Sequence, residues 1–163
     1  VSGAGVMEGG SFAWLNERTC AIGVGVRVNR EGAEQVGEVL KRQGVELLFV
    51  DLPGYDIHLD VSFLMIDKDL ALISPNGLPF SFLQELKVRG IHTVELDPSD
   101  DGWINNSLAI APGKLLMPEG ASNRTLDRLA AHGVTWTTIP FEAVQANGGG
   151  LHCSTTPLQR DRV

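Results

Sequence analysis

Apolar positions along the chain fall into short runs broken by glycine, and their period changes in a recurring order. Segments 11–15 and 20–26 read as strands. Segment 30–43 then reads as a helix, because Ala33, Val36, Val39 and Leu40 recur on one face. Gly44 stops that helix, and 45–50 is an apolar run of the length of a buried strand. The order then returns. Segments 59–66 and 70–73 are expected strands, 79–89 a helix, Gly90 its stop and 91–96 a strand. It returns again through 107–111, 114–117, 123–132, Gly133 and 134–139, and a fourth unit is expected to begin near Gly148.

The repeating unit is strand, strand, helix, strand, with a period of roughly 45–50 residues, the scale of propellers, solenoids and arrays. Short gaps between helix and following strand favour compact α/β units. The expected class is therefore α/β, a repeat architecture of about three units plus part of a fourth, forming one domain over 1–163. An ordinary α/β sandwich with coincidental spacing is the alternative.

Composition narrows the function. Hydrophobic residues make up 43% and charged residues 20%, as in globular proteins. The net charge of −7 argues against nucleic acid or an anionic membrane surface as a partner, since both require basic patches. Cys20 and Cys153 are too few for a disulfide framework, and no apolar run reaches the ~18 residues of a membrane span, so a cytoplasmic setting is expected.

Polar residues recur where each unit's first strand begins. Glu8 precedes Gly9-Gly10, His58 and Asp60 flank Leu59, Asn105-Asn106 follow Asp101-Gly102, and His152-Cys153 follow Gly148-Gly149-Gly150. Units arranged around a common axis would bring these positions to one centre, and converging titratable groups mark a functional site. His58 and Asp60, one residue apart on a strand, would share a face. A nearby acid can orient an imidazole for proton transfer, and a carboxylate suits a planar cation such as guanidinium. Cys153 has the setting of a nucleophile, since glycine permits close backbone approach and a neighbouring cation would favour the thiolate.

In this order, Glu8-Gly-Gly, His58-Leu-Asp60, Asp101-Gly-x-x-Asn105-Asn106-x-Leu-Ala-Ile-Ala-Pro-Gly113 and Gly148-Gly-Gly-x-His152-Cys153-x-x-x-Pro157-Leu resemble the guanidino-group-modifying superfamily. That superfamily comprises arginine deiminases, dimethylarginine dimethylaminohydrolases, agmatine deiminases and amidinotransferases. The resemblance spans the chain from Glu8 to Arg160. It implies a pentein propeller of five such units, with Cys153 attacking the guanidinium carbon and His58 protonating the leaving amine. Glu8 and Asp60 would grip the guanidinium. A thiouronium intermediate would pass to water, or to an amine in an amidinotransferase; a non-catalytic guanidino-binding relative is the third reading.

Neither metal nor organic cofactor is implied. The expected partners are a small guanidino substrate and either the N-terminal portion of the same protein or further copies of it. Two departures from the family pattern stand out. Ser11 occupies the position where similar deiminases carry aspartate after Glu-Gly-Gly, and the units and further acid expected at the N-terminal side are not in this chain.

Other candidates have plainer readings. Cys20 is expected in the core. Asn105 and Asn106 either bind substrate or fix the turn into the strand. Arg160 is a candidate partner for a substrate carboxylate. His152, on an expected strand, would face away from Cys153 and is assigned a structural role.

Overall fold

Apolar alternation and capping signals resolve into three copies of one unit in a computed structural model, which describes residues 1–158. The first unit is β1 (Phe12–Asn16), β2 (Thr19–Val24), α1 (Arg30–Arg42) and β3 (Glu46–Asp51). The second is β4 (Phe63–Asp67), β5 (Leu70–Ile73), α2 (Phe80–Val88) and β6 (His92–Glu95). The third is β7 (Leu108–Ala111), β8 (Lys114–Pro118), α3 (Asn123–Ala131) and β9 (Thr135–Ile139), after which comes a short α4 (Glu142–Gln145). Each unit forms its own three-stranded sheet: an antiparallel hairpin, then a third strand added in parallel after the helix.

Local chemistry explains the boundaries. Asn29 caps α1 by accepting from the Gly32 N–H at 2.8 Å, and Lys41 and Arg42 sit in its last turn, where the helix dipole favours cations. Gly44, Gly90 and Gly133 follow the three helices at φ +74°, +73° and +74°, a left-handed conformation that side chains resist.

Two apolar cores join successive units. One core joins the first two: Leu15, Ala21 and Val50 meet Phe63, Ala71 and Ile73, with Phe82 and Leu86 of α2 between them. A second joins the next pair through Ile66, Leu72 and Val94 against Leu115, Met117 and Leu129. A large-to-small change at such a leucine costs about 2–5 kcal/mol. The third sheet's far face is barer among the described residues. Ile66 is 2% exposed, whereas Ile110, at the matching position before the hairpin turn, is 59% exposed.

Two expectations change. The strand expected over 59–66 begins only at Phe63, because Leu59–Val61 coils into a 3₁₀ turn closed by the Ser62 N–H donating to Leu59 O at 3.0 Å. No strand forms at the fourth unit's start. There the Ser154 N–H donates to Gly150 O and the Thr155 N–H to His152 O, so 150–155 is a run of turns. The short helix α4, a single turn without apolar periodicity, was not anticipated.

Candidate functional site

A 3₁₀ turn precedes the first strand of every unit: Gly9–Ser11, Leu59–Val61 and Gly102–Ile104. These turns carry the candidate residues into one place. Glu8 and His58 are the residues at the head of the first and second turns, both in extended backbone, and Asp60 lies inside the second. His58 donates from Nε2 to Glu8 Oε2 at 2.7 Å, and Arg27 reaches the other oxygen of Glu8 at 3.7 Å. Gly10 makes this approach possible. A β-carbon there would lie 2.6 Å from His58 Nδ1 and 3.2 Å from Asp60 Oδ2, so the ring and the second carboxylate both crowd the same glycine.

Asp60 is 5% exposed. Its Oδ2 accepts from His152 Nδ1 at 2.9 Å and from the Cys153 thiol at 3.6 Å. A carboxylate only accepts, so the proton in the first contact is on Nδ1 of His152. Oδ1 is shut off from solvent and has no partner among the described residues. A buried acceptor left in that state costs about 1–3 kcal/mol until a donor reaches it. The Ser11 hydroxyl, also buried, has no partner among the described residues either.

Asn106, fully buried, locks the thiol's turn in position. Its Oδ1 accepts from the Cys153 N–H at 3.1 Å, its carbonyl accepts from the His152 N–H at 3.0 Å, and its Nδ2 donates to Asp60 O at 3.3 Å. A β-carbon on Gly150 would collide with the Asn106 amide, so this turn needs glycine beside it. Asn105 works elsewhere. Oriented to satisfy both ends of its amide, it accepts from Phe63 N at 2.8 Å and donates to Leu72 O at 3.2 Å, tying the third unit to the hairpin of the second.

Cys153 is exposed and Cys20 buried. Both thiols are pushed up. Burial, followed by the charge of Glu46, takes Cys20 to about 11. For Cys153 desolvation also raises the value and Asp60's charge adds to it, while the Gly150 and Asn106 hydrogen bonds pull it back. The thiol therefore rests protonated, and a cation placed between it and Asp60 would favour the thiolate.

Of the candidates named from the sequence, Glu8, His58, Asp60, Asn106 and Cys153 come together. Asn105 is spent on backbone groups, and Arg160 lies outside the described residues. His152 overturns its expected orientation: in a turn rather than a strand, its ring faces the same carboxylate as Cys153 does. Arg27 was also missed, and neither contact leaves a trace in local spacing.

Solved structures show where this fold occurs. DDAH from Pseudomonas aeruginosa in complex with citrulline superposes with a TM-score of 0.78 at 20% identity, over 94% of this chain and 56% of that one. An inosamine-phosphate amidinotransferase from Streptomyces griseus does so at 0.76 and 17% identity, over 95% and 47%. The family model for arginine deiminase matches residues 2–79. Sequence, fold and motif order agree in what the chain is similar to: the guanidino-group-modifying pentein superfamily.

Within it, sequence similarity runs toward arginine deiminases. That of Mycobacterium tuberculosis H37Rv is 28% identical over 191 residues, covering 95% of this chain and 47% of its own length. An uncharacterised protein of Aeropyrum pernix is 29% identical over 154 residues, covering 94% and 54%. The chain thus spans about half the length of the relatives it matches.

Proposed function

We infer that this chain carries the nucleophile half of an enzyme that hydrolyses a carbon–nitrogen bond of an arginine-like guanidino compound. The observation that carries the reading is the meeting of an exposed thiol, two carboxylate–imidazole pairs and a buried carboxylate oxygen without a partner among the described residues. A guanidinium N–H supplies the donor that Asp60 Oδ1 lacks, and its charge offsets the field that holds the Cys153 thiol protonated.

The thiol passes its proton through solvent to His58, and Sγ attacks the guanidinium carbon. A carbon–nitrogen bond then breaks, and His58, held by Glu8, delivers a proton to the departing amine. This leaves a thiouronium on Cys153. Water adds to the same carbon as His58 takes its proton; the carbon–sulfur bond breaks, releasing the ureido product and regenerating the sulfur nucleophile. For a substrate with a carboxylate, Arg27 is an exposed cation beside Glu8.

The sequence relatives favour hydrolysis, whereas the fold neighbours include a transferase that would hand the amidino group to an amine. The bare face around Ile110 and the half-length match to relatives support a partner that supplies further units, from the same polypeptide or from a second copy. The test is incubation with arginine, agmatine and methylated arginines, with and without an acceptor amine. Ureido product with released ammonia or methylamine supports hydrolysis, and product formed only with the amine supports transfer. Full turnover by Cys153→Ser would overturn the nucleophile assignment.

A further inference from the structure

We propose that His152 is a positioning residue for the nucleophile: its Nδ1–H pins Oδ2 of Asp60, ties the Cys153 turn to the second unit and quenches carboxylate charge beside the thiol. The proposal rests on the reading of Cys153 as nucleophile, but it concerns a residue outside the proton transfer and covalent steps described above.

The turn bearing Cys153 is fastened on two sides. On the third unit, Asn106 takes the backbone N–H groups of both His152 and Cys153. On the second, the His152 ring meets Asp60 Oδ2 at 2.9 Å, and the same oxygen lies 3.6 Å from Cys153 Sγ. One carboxylate oxygen therefore serves both side chains. A donor that draws electron density from that oxygen weakens its field at the thiol, and removing the donor strengthens it. Asp60 already raises the Cys153 value, so loss of His152 should raise it further and reduce the thiolate present at neutral pH.

The other ionisable groups around this carboxylate are Cys153 itself and, across Gly10, His58 with Glu8 and Arg27. The Glu8–His58 pair supplies its own counter-charge and makes no hydrogen bond or ion pair with Oδ2 of Asp60 among the described residues. It does not replace the His152 donor. The placement of Nδ1 also makes a sharp chemical demand. Asparagine carries an amide nitrogen near the position of Nδ1 and can keep the donor, whereas alanine cannot.

The experiment is the pH profile of Cys153 alkylation by iodoacetamide, followed by mass spectrometry on the full chain, so it needs no turnover. His152→Ala should move the midpoint up by about one pH unit and slow alkylation at pH 7 about tenfold, with His152→Asn restoring most of the wild-type profile. In an Asp60→Asn background, His152→Ala should leave the midpoint in place, because the charge it controls is gone. An unmoved midpoint in His152→Ala overturns the proposal. So does a His152→Asn profile that matches His152→Ala, or a His152→Ala effect that persists without the Asp60 charge. A shifted profile in a chain that turns over no guanidino compound would leave this inference standing and count against the proposed function alone.

Discussion

The site holds the same chemical pair twice in different surroundings. Glu8 and His58 meet at 2.7 Å with the carboxylate 41% exposed and a second cation, Arg27, at its outer oxygen. Asp60 and His152 meet at 2.9 Å with the carboxylate only 5% exposed, a thiol on the shared oxygen and the other oxygen unpartnered among the described residues. Solvent and Arg27 screen the first carboxylate, which under the proposed function orients an imidazole that passes a proton. Burial leaves the second with its field directed at Cys153, which suits it to hold a cation against a nucleophile. Environment separates the roles of two pairs that composition alone makes equal.

The largest expected effect separates the imidazoles. His58→Ala should lower turnover about 10²–10⁴-fold, the usual contribution of a general acid–base. It should leave iodoacetamide alkylation of Cys153 close to wild type in a stopped assay, because His58 acts on the leaving group. Loss of alkylation together with turnover would merge the two pairs into one unit.

The carboxylates come next. Asp60→Asn removes a charge that raises the Cys153 thiol, so its value falls toward the ordinary 9.0. Below that pH the thiolate fraction grows about tenfold for each unit of fall, and neutral-pH alkylation should speed up several-fold. Glu8→Gln, beyond Gly10 and already screened, should leave the alkylation rate unchanged while lowering turnover through His58. Equal acceleration by both changes would erase the distinction drawn from burial.

Smaller effects test the scaffold under each pair. Asn106→Ala removes an acceptor from the Cys153 N–H and a donor from Asp60 O, and urea unfolding should show a loss of about 1–3 kcal/mol. Arg27→Gln breaks an exposed contact of 3.7 Å and should cost less than about 1 kcal/mol in the same measurement.

Much of this was legible in the sequence where the physics is local. The three-unit order, the glycine stops after each helix and most strand boundaries follow from periodicity and from the left-handed demand at Gly44, Gly90 and Gly133. The motif order also named Cys153, His58, Asp60 and Glu8. The pairing did not follow, because Glu8 and His58 stand 50 residues apart and Asp60 and His152 stand 92 apart, so only packing decides which acid takes which ring. His152 was misjudged for a definite reason. Alternation sends neighbouring side chains to opposite faces on a strand, and the glycine-rich segment turns instead, bringing residues 152 and 153 to one carboxylate. Asn105 shows the same limit, since its amide matches Phe63 N and Leu72 O through a contact between units that no local pattern reports.

The central claim is that Asp60 presents a cation-accepting position to the Cys153 thiol. Competitive labelling by a cationic haloacetamidine and neutral iodoacetamide, with the adducts located by mass spectrometry, tests it most directly. The cationic reagent should react preferentially at Cys153 and not at buried Cys20, be blocked by arginine, and lose its advantage over the neutral reagent in Asp60→Asn. An advantage that survives Asp60→Asn, or adducts distributed equally between Cys20 and Cys153, would contradict the account.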